Sequence, residues 1–487
     1  MSIQRNLTLF SVFLQTKSLF PRHDFFKFNA EFSNWSRGIE RPVCTPPFMV
    51  DIPDLGTKVN VTVLTHGGQT IHSGTVIPPA ADGFLTIKLP NGYNVSSSIE
   101  NIQTIEILGS ASTISDGKSP SITQSSDLPK VTIIHTGGTI ASKVDYATGA
   151  VVARFEPEEL LASLPELSNI AQIHAVKISN MWSDDVRPQH WNQMIQATQS
   201  AFDDGSVGVV ITHGTDTMHY SSAALAYAFS GDGGRPGGRI VFTGSQRSSD
   251  RGSSDASENL LSAVHWAAHG PEVSGAGDAT VIIMHAESDD GNCAVHSGVL
   301  ARKCHSTKRD AFQSINGQTL GKVKFDGKQF THTSQINSGD REIVSPKIYD
   351  EKIRIAQFIA GPYLHGDLLE SAQKADYSAV LIHGTGLGHL PIEDAVGNAP
   401  ENTNLAKVIE SLNIPVIVAN QCINGPIDLN VYSKGRSQQA LGILGHGING
   451  SPEGLLVKVH WLLSQQKSLS NALTENLCGE NPVNLDF

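Results

Sequence analysis

Two short turns rich in threonine and glycine contain the residues best suited to chemistry. The first, "HTGGTIASK" (135–143), follows the apolar run "KVTII", and the second, "HGTDTM" (213–218), follows "VGVVIT". A threonine hydroxyl attacks at neutral pH only when a base or a lowered pKa activates it, and Asp216 stands beside Thr215. From the residues alone, each turn could bind a phosphate, form a tight structural turn or supply a nucleophilic threonine.

Other kinds of catalytic site find less support. "GTGLGH" (384–389) lacks the GxGxxG spacing of a dinucleotide site, and the sequence contains neither a GxxxxGK[ST] loop nor a GxSxG nucleophile elbow. Cys304 and His305 are adjacent, which is not how a Cys–His pair is usually arranged. His265 and His269 have helical i,i+4 spacing but lack the Glu of HExxH and an evident third ligand, so we predict no metal site.

The elements that must position these turns are apolar β-type runs alternating with helical stretches after Pro129. Near-continuous Val and Ile runs in this alternation are typical of a parallel sheet covered by helices on both faces. A second such block begins near Lys352, and the polar region 317–349 is predicted to connect the two. Because ligands bind outside the carboxyl ends of strands in such sheets, both threonine turns are predicted to lie at that edge.

The chain ahead of Pro129 has a different pattern. Short alternating segments separated by turn residues predict a small β-barrel at residues 49–109. The predicted fold class is therefore α/β, a two-domain parallel-sheet body preceded by a small β-barrel. The other predicted regions are a disordered arm (1–48), a Ser-rich linker (110–129), a large α/β domain (130–345) and a small one (346–487).

Charge and cysteine content exclude some classes of protein. The formal charge of −12 argues against a chain that grips a nucleic-acid backbone by itself. The 5 cysteines are scattered without CxxC spacing, which fits a reducing compartment rather than a disulfide framework. No apolar run approaches the roughly 18 residues that span a bilayer. We expect a cytoplasmic protein.

Four segments together resemble signature sequences of the bacterial-type asparaginase family. The segments are "TGGTIAS" (136–142), "NMWSDD" (180–185), "HGTDTM" (213–218) and "LARKCHSTKRDAFQSIN" (300–316). They stand in the expected order, and the resemblance covers about residues 130–487. It implies that the two-domain parallel-sheet body behind the β-barrel is asparaginase-like.

One branch of the asparaginase family resembles this chain more than the others do. The predicted barrel with "KLPNGYNV" (88–95), together with "NVYSKGR" (430–436) and "PEGLLVKVHWLL" (452–463), resembles the D subunits of archaeal-type glutamyl-tRNA(Gln) amidotransferases. The resemblance implies a glutaminase component that hydrolyses glutamine and supplies ammonia to a partner protein. The alternative is a free-standing L-asparaginase with an unrelated N-terminal fusion.

The resemblance also implies partners and cofactors. A tRNA-binding partner of the E type would bind tRNA, ATP and Mg and convert Glu-tRNA(Gln) to Gln-tRNA(Gln). This chain would need no cofactor or metal, would meet tRNA only through the partner, and would form a homodimer within a heterotetramer.

The family pattern implies roles for individual residues. The expected catalytic residues are Thr139, Thr215, Asp216 and Lys303, with Thr139 as the first nucleophile. The expected substrate-binding residues are Ser183, Asp184, Gly138 and Gly214, with Tyr146 as a possible lid. Three residues depart from the pattern: His135 and Asn420 replace a small and a hydroxyl residue, and Asp184 stands where Glu is more frequent. Thr136 is expected to serve only the turn and its packing.

Overall fold

The computed structural model describes most of the chain after residue 50. The described residues are 51–65, 68–79, 83–90, 94–110, 124–138, 140, 142–144, 151–153, 160–161, 164–248, 253–326, 329–337 and 339–481. They belong to two compact units, one within 1–87 and 95–111 and the other within 88–94 and 112–487. None of the helices in the described ranges combines the length and apolar character needed to cross a membrane.

The first unit is a five-stranded sheet in the order β4-β3-β2-β1-β5. Its strands are β1 (Thr57–Thr65), β2 (Gly68–Ile77), β3 (Phe84–Lys88), β4 (Asn94–Ser98) and β5 (Ile102–Ser110). β1 pairs antiparallel with both β2 and β5. Val59, Val61 and Val63 of β1 are buried while the residues between them are partly exposed, as one-sided burial of a sheet requires. The alternating segments read from the sequence largely coincide with these strands.

The second unit contains the remaining strands. They are β6 (Lys130–Gly137), β7 (Ser142–Val144), β8 (Val151–Ala153), β9 (Gln172–Met181), β10 (Gly208–Thr212), β11 (Arg239–Thr243), β12 (Val281–His285), β13 (Asn292–Ser297), β14 (Ala301–Lys303), β15 (Phe312–Ser314), β16 (Gly321–Phe325), β17 (Phe330–Ser334), β18 (Ile355–Ile359), β19 (Ala379–Gly384) and β20 (Val416–Asn420). Eight of them form one sheet in the order β17-β16-β13-β12-β11-β10-β6-β9, and β18-β19-β20 form a parallel sheet of three.

The helices of the second unit cover these sheets. They are α1 (Pro188–Asp203), α2 (Met218–Ser230), α3 (Ala256–His269), α4 (Gly366–Lys374), α5 (Pro400–Ser411), α6 (Ser433–Ala440), α7 (Pro452–Ser464) and α8 (Leu469–Ala472). α2 contacts α7, and nearly all of its residues are buried, including Tyr227 and Phe229. A helix that is buried on all its faces lies inside a core, and α2 occupies that place.

The large sheet differs from the prediction at one side. Strands β9, β6, β10, β11 and β12 are parallel, as predicted, but β13, β16 and β17 pair antiparallel. β16 and β17 lie within the region that was predicted to be a connection. In β16, buried Val323 stands between the exposed Lys322 and Lys324. A strand with one polar face toward solvent shows this alternation of buried and exposed residues. In a short segment with many polar residues, the alternation is difficult to recognise from the sequence.

The predicted domain boundaries stay predictions. The arm at 1–48 and most of the linker at 110–129 lie outside the described residues. The two α/β sheets belong to one compact unit, so the structure does not by itself place a boundary at residues 345 and 346.

Candidate active site

The carboxyl ends of β6 and β10 bring the two threonine turns together. The strands pair in parallel with His135 opposite Thr212, so both end at the same edge of the sheet. Gly138 has a φ of +83°, and a Cβ added there would lie 3.0 Å from the backbone nitrogen of Gly214. Glycine permits both the positive φ and the close approach of two backbones. The first turn therefore packs directly on the second.

A third segment joins them through Ser183. This residue begins a short 3₁₀ turn, Ser183–Asp185, after β9. A Cβ on Gly214 would lie 2.8 Å from Ser183 Oγ, so the second turn and this segment are in close contact. Thr217 Oγ1 donates a hydrogen bond to the Ser183 carbonyl oxygen at 2.5 Å. Three strand ends thus meet around Gly214.

Lys303 reaches the second turn from the hairpin of β14 and β15. It lies opposite Phe312 in that hairpin, and Phe312 is buried in the core. Lys303 Nζ donates hydrogen bonds to Thr215 Oγ1 at 2.9 Å and to Asp216 Oδ1 at 2.7 Å. A hydroxyl, an amine and a carboxylate within hydrogen-bond distance form a set that can move a proton on and off the hydroxyl.

The three side chains differ in their access to solvent. Thr215 is buried, the Lys303 side chain is 9% exposed and the Asp216 side chain is 69% exposed. The hydroxyl and the amine are therefore shielded from water, whereas one side of the carboxylate faces solvent.

Two buried histidines beside this set are neutral. Burial lowers the pKa of His213 to about 4, and its Nδ1–H donates to the Gly214 carbonyl oxygen at 2.7 Å. Burial lowers the pKa of His219 to about 3, and the positive charges of Arg302 and Lys303 add to this effect. Neither imidazole is charged at neutral pH, so the positive charges in this neighbourhood come from Lys303 and Arg302.

Arg302 and Glu453 form an ion pair behind Lys303. Arg302 Nη1 lies 3.4 Å from Glu453 Oε1, which stands in the first turn of α7. Burial raises the pKa of the Glu453 carboxyl above its ordinary value, while the Arg302 charge opposes that rise. The pair links the strand that carries Lys303 to a helix of the C-terminal part of the chain.

Two family profiles cover most of the second unit. "Asparaginase, N-terminal" matches residues 130–336, and "Glutaminase/Asparaginase C-terminal domain" matches residues 354–473. The whole chain also has curated relatives of similar length. It is 37% identical over 436 residues to the D subunit of glutamyl-tRNA(Gln) amidotransferase from Thermococcus kodakarensis, covering 88% of this chain and 94% of that protein. The protein of the same name from Pyrococcus abyssi is 34% identical over 435 residues, with the same coverage.

The chain belongs to the D-subunit family of glutamyl-tRNA(Gln) amidotransferases. The resemblance inferred from the sequence motifs is confirmed, and so is the asparaginase-like α/β fold. Among solved structures, the thermostable L-asparaginase from Thermococcus kodakarensis aligns with a TM-score of 0.59 and 26% identity, covering 73% of this chain and 100% of that one.

The roles inferred from the family pattern stay predictions, but the structure places several of the residues. Thr215, Asp216 and Lys303 come together, and Gly138, Gly214 and Ser183 lie where the three strand ends meet. Asp184 is exposed and lines a groove of about 630 Å³ together with Thr217 and Tyr220. Thr139 and Tyr146 lie outside the described residues.

Sequence reasoning missed the pairing of Arg302 with Glu453. The only available signal was that Arg302 adjoins the family lysine, since its partner lies far along the chain.

The departures from the family pattern have structural accounts in two cases. His135 is fully buried, its Nδ1 lies 2.8 Å from Thr212 Oγ1, and burial lowers its pKa to about 3. It is thus a neutral core residue beneath the turn.

Asn420 Nδ2 donates to the Gly425 carbonyl oxygen and its Oδ1 accepts from the Cys422 amide, both at 2.8 Å, so it shapes the loop after β20. Thr136 is buried and donates to the Thr212 carbonyl oxygen at 3.0 Å.

Proposed function

We propose that this chain is the glutamine-hydrolysing component of a tRNA-dependent amidotransferase that forms Gln-tRNA(Gln) from Glu-tRNA(Gln). The observation that carries the proposal is the hydrogen-bonded set of Thr215, Asp216 and Lys303 beside the packed turns of Gly138 and Gly214. It occurs in a chain whose curated relatives, similar over 94% of their length, bear the name of that amidotransferase's D subunit.

The proposed reaction begins at the side-chain amide of glutamine. Thr139, which follows Gly138 in the sequence, attacks the amide carbon through its hydroxyl oxygen. The hydroxyl proton passes to the amide nitrogen, and the tetrahedral intermediate collapses as ammonia leaves, which gives an acyl-threonine. Water then attacks this ester: its oxygen joins the acyl carbon, one of its protons goes to the threonine oxygen, and glutamate is released. The sum is glutamine plus water to glutamate plus ammonia.

Lys303 and Thr215 transfer protons in this scheme. Lys303 Nζ contacts Thr215 Oγ1 directly, so a proton can pass between the amine and the hydroxyl without a mediating water. Asp216 holds the amine in that position through its bond to Nζ. Backbone N–H groups of the two turns would stabilise the oxyanion, and one such donor is typically worth about 3–4 kcal/mol.

Ser183 and Asp184 would bind the α-amino and carboxylate groups of glutamine. Ser183 is fixed by its contact with Gly214, whereas Asp184 is exposed and accessible to an ammonium group. The shorter acid at this position would hold the amino group less closely than Glu.

The second half-reaction belongs to a partner in this proposal. The formal charge of −12 fits a chain that leaves tRNA binding to another protein. The partner, an E-type protein of the amidotransferase, would supply the sites for tRNA, ATP and Mg, and two copies of this chain would join two partners in the cytoplasm. No cofactor is assigned to this chain.

Glutamine turnover tests the proposal. It should be measured with the chain alone and then with the partner and glutamyl-tRNA, where we expect a clear rise in the rate. Formation of Gln-tRNA that depends on glutamine would support the proposal. A chain that neither co-purifies with a tRNA-binding partner nor responds to it would contradict the amidotransferase role.

The second candidate is a free-standing L-asparaginase. The structural similarity to the Thermococcus kodakarensis L-asparaginase favours it. A strong preference of the isolated chain for asparagine over glutamine, unchanged by the partner, would establish this alternative.

A further inference from the structure

We infer that Glu258, His285 and Asp290 form a zinc-binding site separate from the glutaminase residues. The three side chains come from the first turn of α3, the last residue of β12 and the loop that follows β12. One ligand atom from each lies within 4.8 Å of the other two. The inference does not depend on the proposed function.

The tautomer of His285 is determined by its neighbour Asn259. The Asn259 Nδ2 group donates to the Gly244 carbonyl oxygen and to Asp255 Oδ2, both at 2.9 Å. Both partners can only accept, so the amide cannot be turned around. Asn259 Oδ1 therefore faces His285 Nδ1 at 2.7 Å, and Nδ1 must carry the hydrogen.

The other ring nitrogen of His285 faces two carboxylates. Nε2 lies 3.3 Å from Glu258 Oε2 and 3.8 Å from Asp290 Oδ1, and the His285 side chain is 0% exposed. Within the described residues Nε2 has no hydrogen-bond partner, although both carboxylates lie within ion-pair distance. A buried nitrogen that faces two negative groups needs a positive charge between them, which is either a proton on Nε2 or a metal ion bound by all three side chains.

The separations fit a zinc ion. Two donor atoms bound to zinc at about 2.1 Å with a near-tetrahedral angle lie about 3.4 Å apart. The distances from His285 Nε2 to the two carboxylates, 3.3 Å and 3.8 Å, bracket that value, and the ligand atoms of the two carboxylates lie within 4.8 Å of each other. An imidazole nitrogen in the set favours zinc over Mg²⁺ and Ca²⁺, which prefer oxygen ligands throughout.

Neighbouring residues form hydrogen bonds with all three side chains of the cluster. Asn259 orients the imidazole, the Gly291 amide donates to Glu258 Oε1 at 2.6 Å, and Arg309 donates to Asp290 Oδ1 at 2.5 Å. This leaves Glu258 Oε2 directed into the cluster. Outer contacts of this kind are a regular feature of metal sites. Arg309 also competes with a cation for Asp290, so we assign the firmest ligation to His285 and Glu258.

The site would anchor the segment next to the catalytic lysine. Arg309 contacts both Asp290 and the Ser288 carbonyl oxygen, and Arg309 lies in the loop between β14, which ends at Lys303, and β15. A zinc ion would thus tie the loop after β12 to α3 and, through Arg309, support the loop of the Lys303 hairpin.

Zinc titration of the metal-stripped full chain tests the inference. Competition with a chromophoric chelator should give one equivalent of tight binding, and Co²⁺ should give the absorption of a tetrahedral site with a nitrogen ligand. Mg²⁺ should not compete. Glu258→Gln and His285→Gln should each weaken zinc binding by about 100-fold or more, and Asp290→Asn by a smaller factor.

Matched variants make the result decisive. His265, His269 and His332 form a second group of imidazoles, with His265 Nε2 3.2 Å from His332 Nδ1. His332→Gln should leave the affinity unchanged. If His285→Gln fails to fold, Glu258→Gln carries the test. Absence of saturable zinc binding, or binding lost in His332→Gln and kept in Glu258→Gln, overturns the inference.

Discussion

Two lysine–carboxylate pairs in this protein have similar N–O distances but differ in the solvent exposure of their side chains. Lys303 Nζ lies 2.7 Å from Asp216 Oδ1, and Lys458 Nζ lies 2.6 Å from Glu480 Oε1. The Asp216 side chain is 69% exposed, whereas the Lys458 and Glu480 side chains are 1% and 5% exposed. Pair geometry alone therefore does not distinguish a reactive pair from a structural one.

The remaining hydrogen bonds of each pair make the distinction. Lys458 also donates to the carbonyl oxygens of Leu473 and Glu475, and Glu480 accepts from the Leu477 and Cys478 amides. These contacts bind the C-terminal segment to α7. The third group at Lys303 is instead the hydroxyl of Thr215, a chemically active partner. A pair whose other hydrogen bonds all go to backbone groups stabilises the fold. A pair whose amine also forms a hydrogen bond with a hydroxyl can transfer protons.

The largest expected effect comes from replacing Lys303. Lys303→Ala should lower kcat for glutamine by about 10²–10⁴-fold, because the amine that exchanges a proton with Thr215 is removed. The melting temperature should change little. Steady-state ammonia release and thermal unfolding measure the two quantities. Lys308→Ala, an exposed lysine of the same hairpin loop, is the matched control and should retain activity. Equal activity of the two variants would remove Lys303 from the mechanism.

Replacing Lys458 should have the converse effect. Lys458→Met leaves the Glu480 carboxylate buried without its partner, and breaking a buried pair in this way costs about 3–5 kcal/mol of unfolding free energy. Denaturant unfolding measures that loss. The glutamine turnover of the molecules that remain folded should match the unaltered protein. Retained stability would mean that water or a rearranged segment neutralises Glu480.

The pair of Arg302 and Glu453 is intermediate in solvent exposure between the Lys303–Asp216 and Lys458–Glu480 pairs. Burial raises the pKa of Glu453 in the folded chain, so the folded state binds its proton more tightly than the unfolded state. Its contribution to stability is therefore present at low pH and is lost as the pH rises from about 4.5, the unfolded value, through the folded pKa.

Glu453→Gln removes this titration. The stability of the variant relative to the unaltered protein should rise over that pH window, which urea unfolding at a series of pH values measures. A stability difference that is constant with pH, or that moves in the opposite direction, would contradict the raised pKa.

Local patterns predicted the framework but not the contacts between distant segments. The Val- and Ile-rich runs identified β6, β10, β11 and β12. The rule that ligands bind at strand ends drew attention to Thr215, which lies at the carboxyl edge of the large sheet. Lys303 lies 88 residues after Thr215, so no periodicity could join them, and only the family motif did.

The same limit applies to residues that meet only in the fold. The Arg302–Glu453 pair and the cluster at His285 were not predicted, since each depends on side chains from different elements. The Asn259 amide that sets the His285 tautomer is likewise visible only once α3 packs on β12.

The smallest effect is expected at a fully exposed pair, which completes the comparison. Lys374 and Glu370 form an i,i+4 pair on α4, 3.1 Å apart, with side chains 74% and 44% exposed. Water screens both charges, and holding two long side chains in one geometry costs conformational entropy. Lys374→Ala should therefore change the unfolding free energy by about 0.5 kcal/mol or less and leave glutamine turnover unchanged. A loss comparable to that of Lys458→Met in the same denaturant assay would mean that burial does not determine how much a lysine–carboxylate pair stabilises the fold.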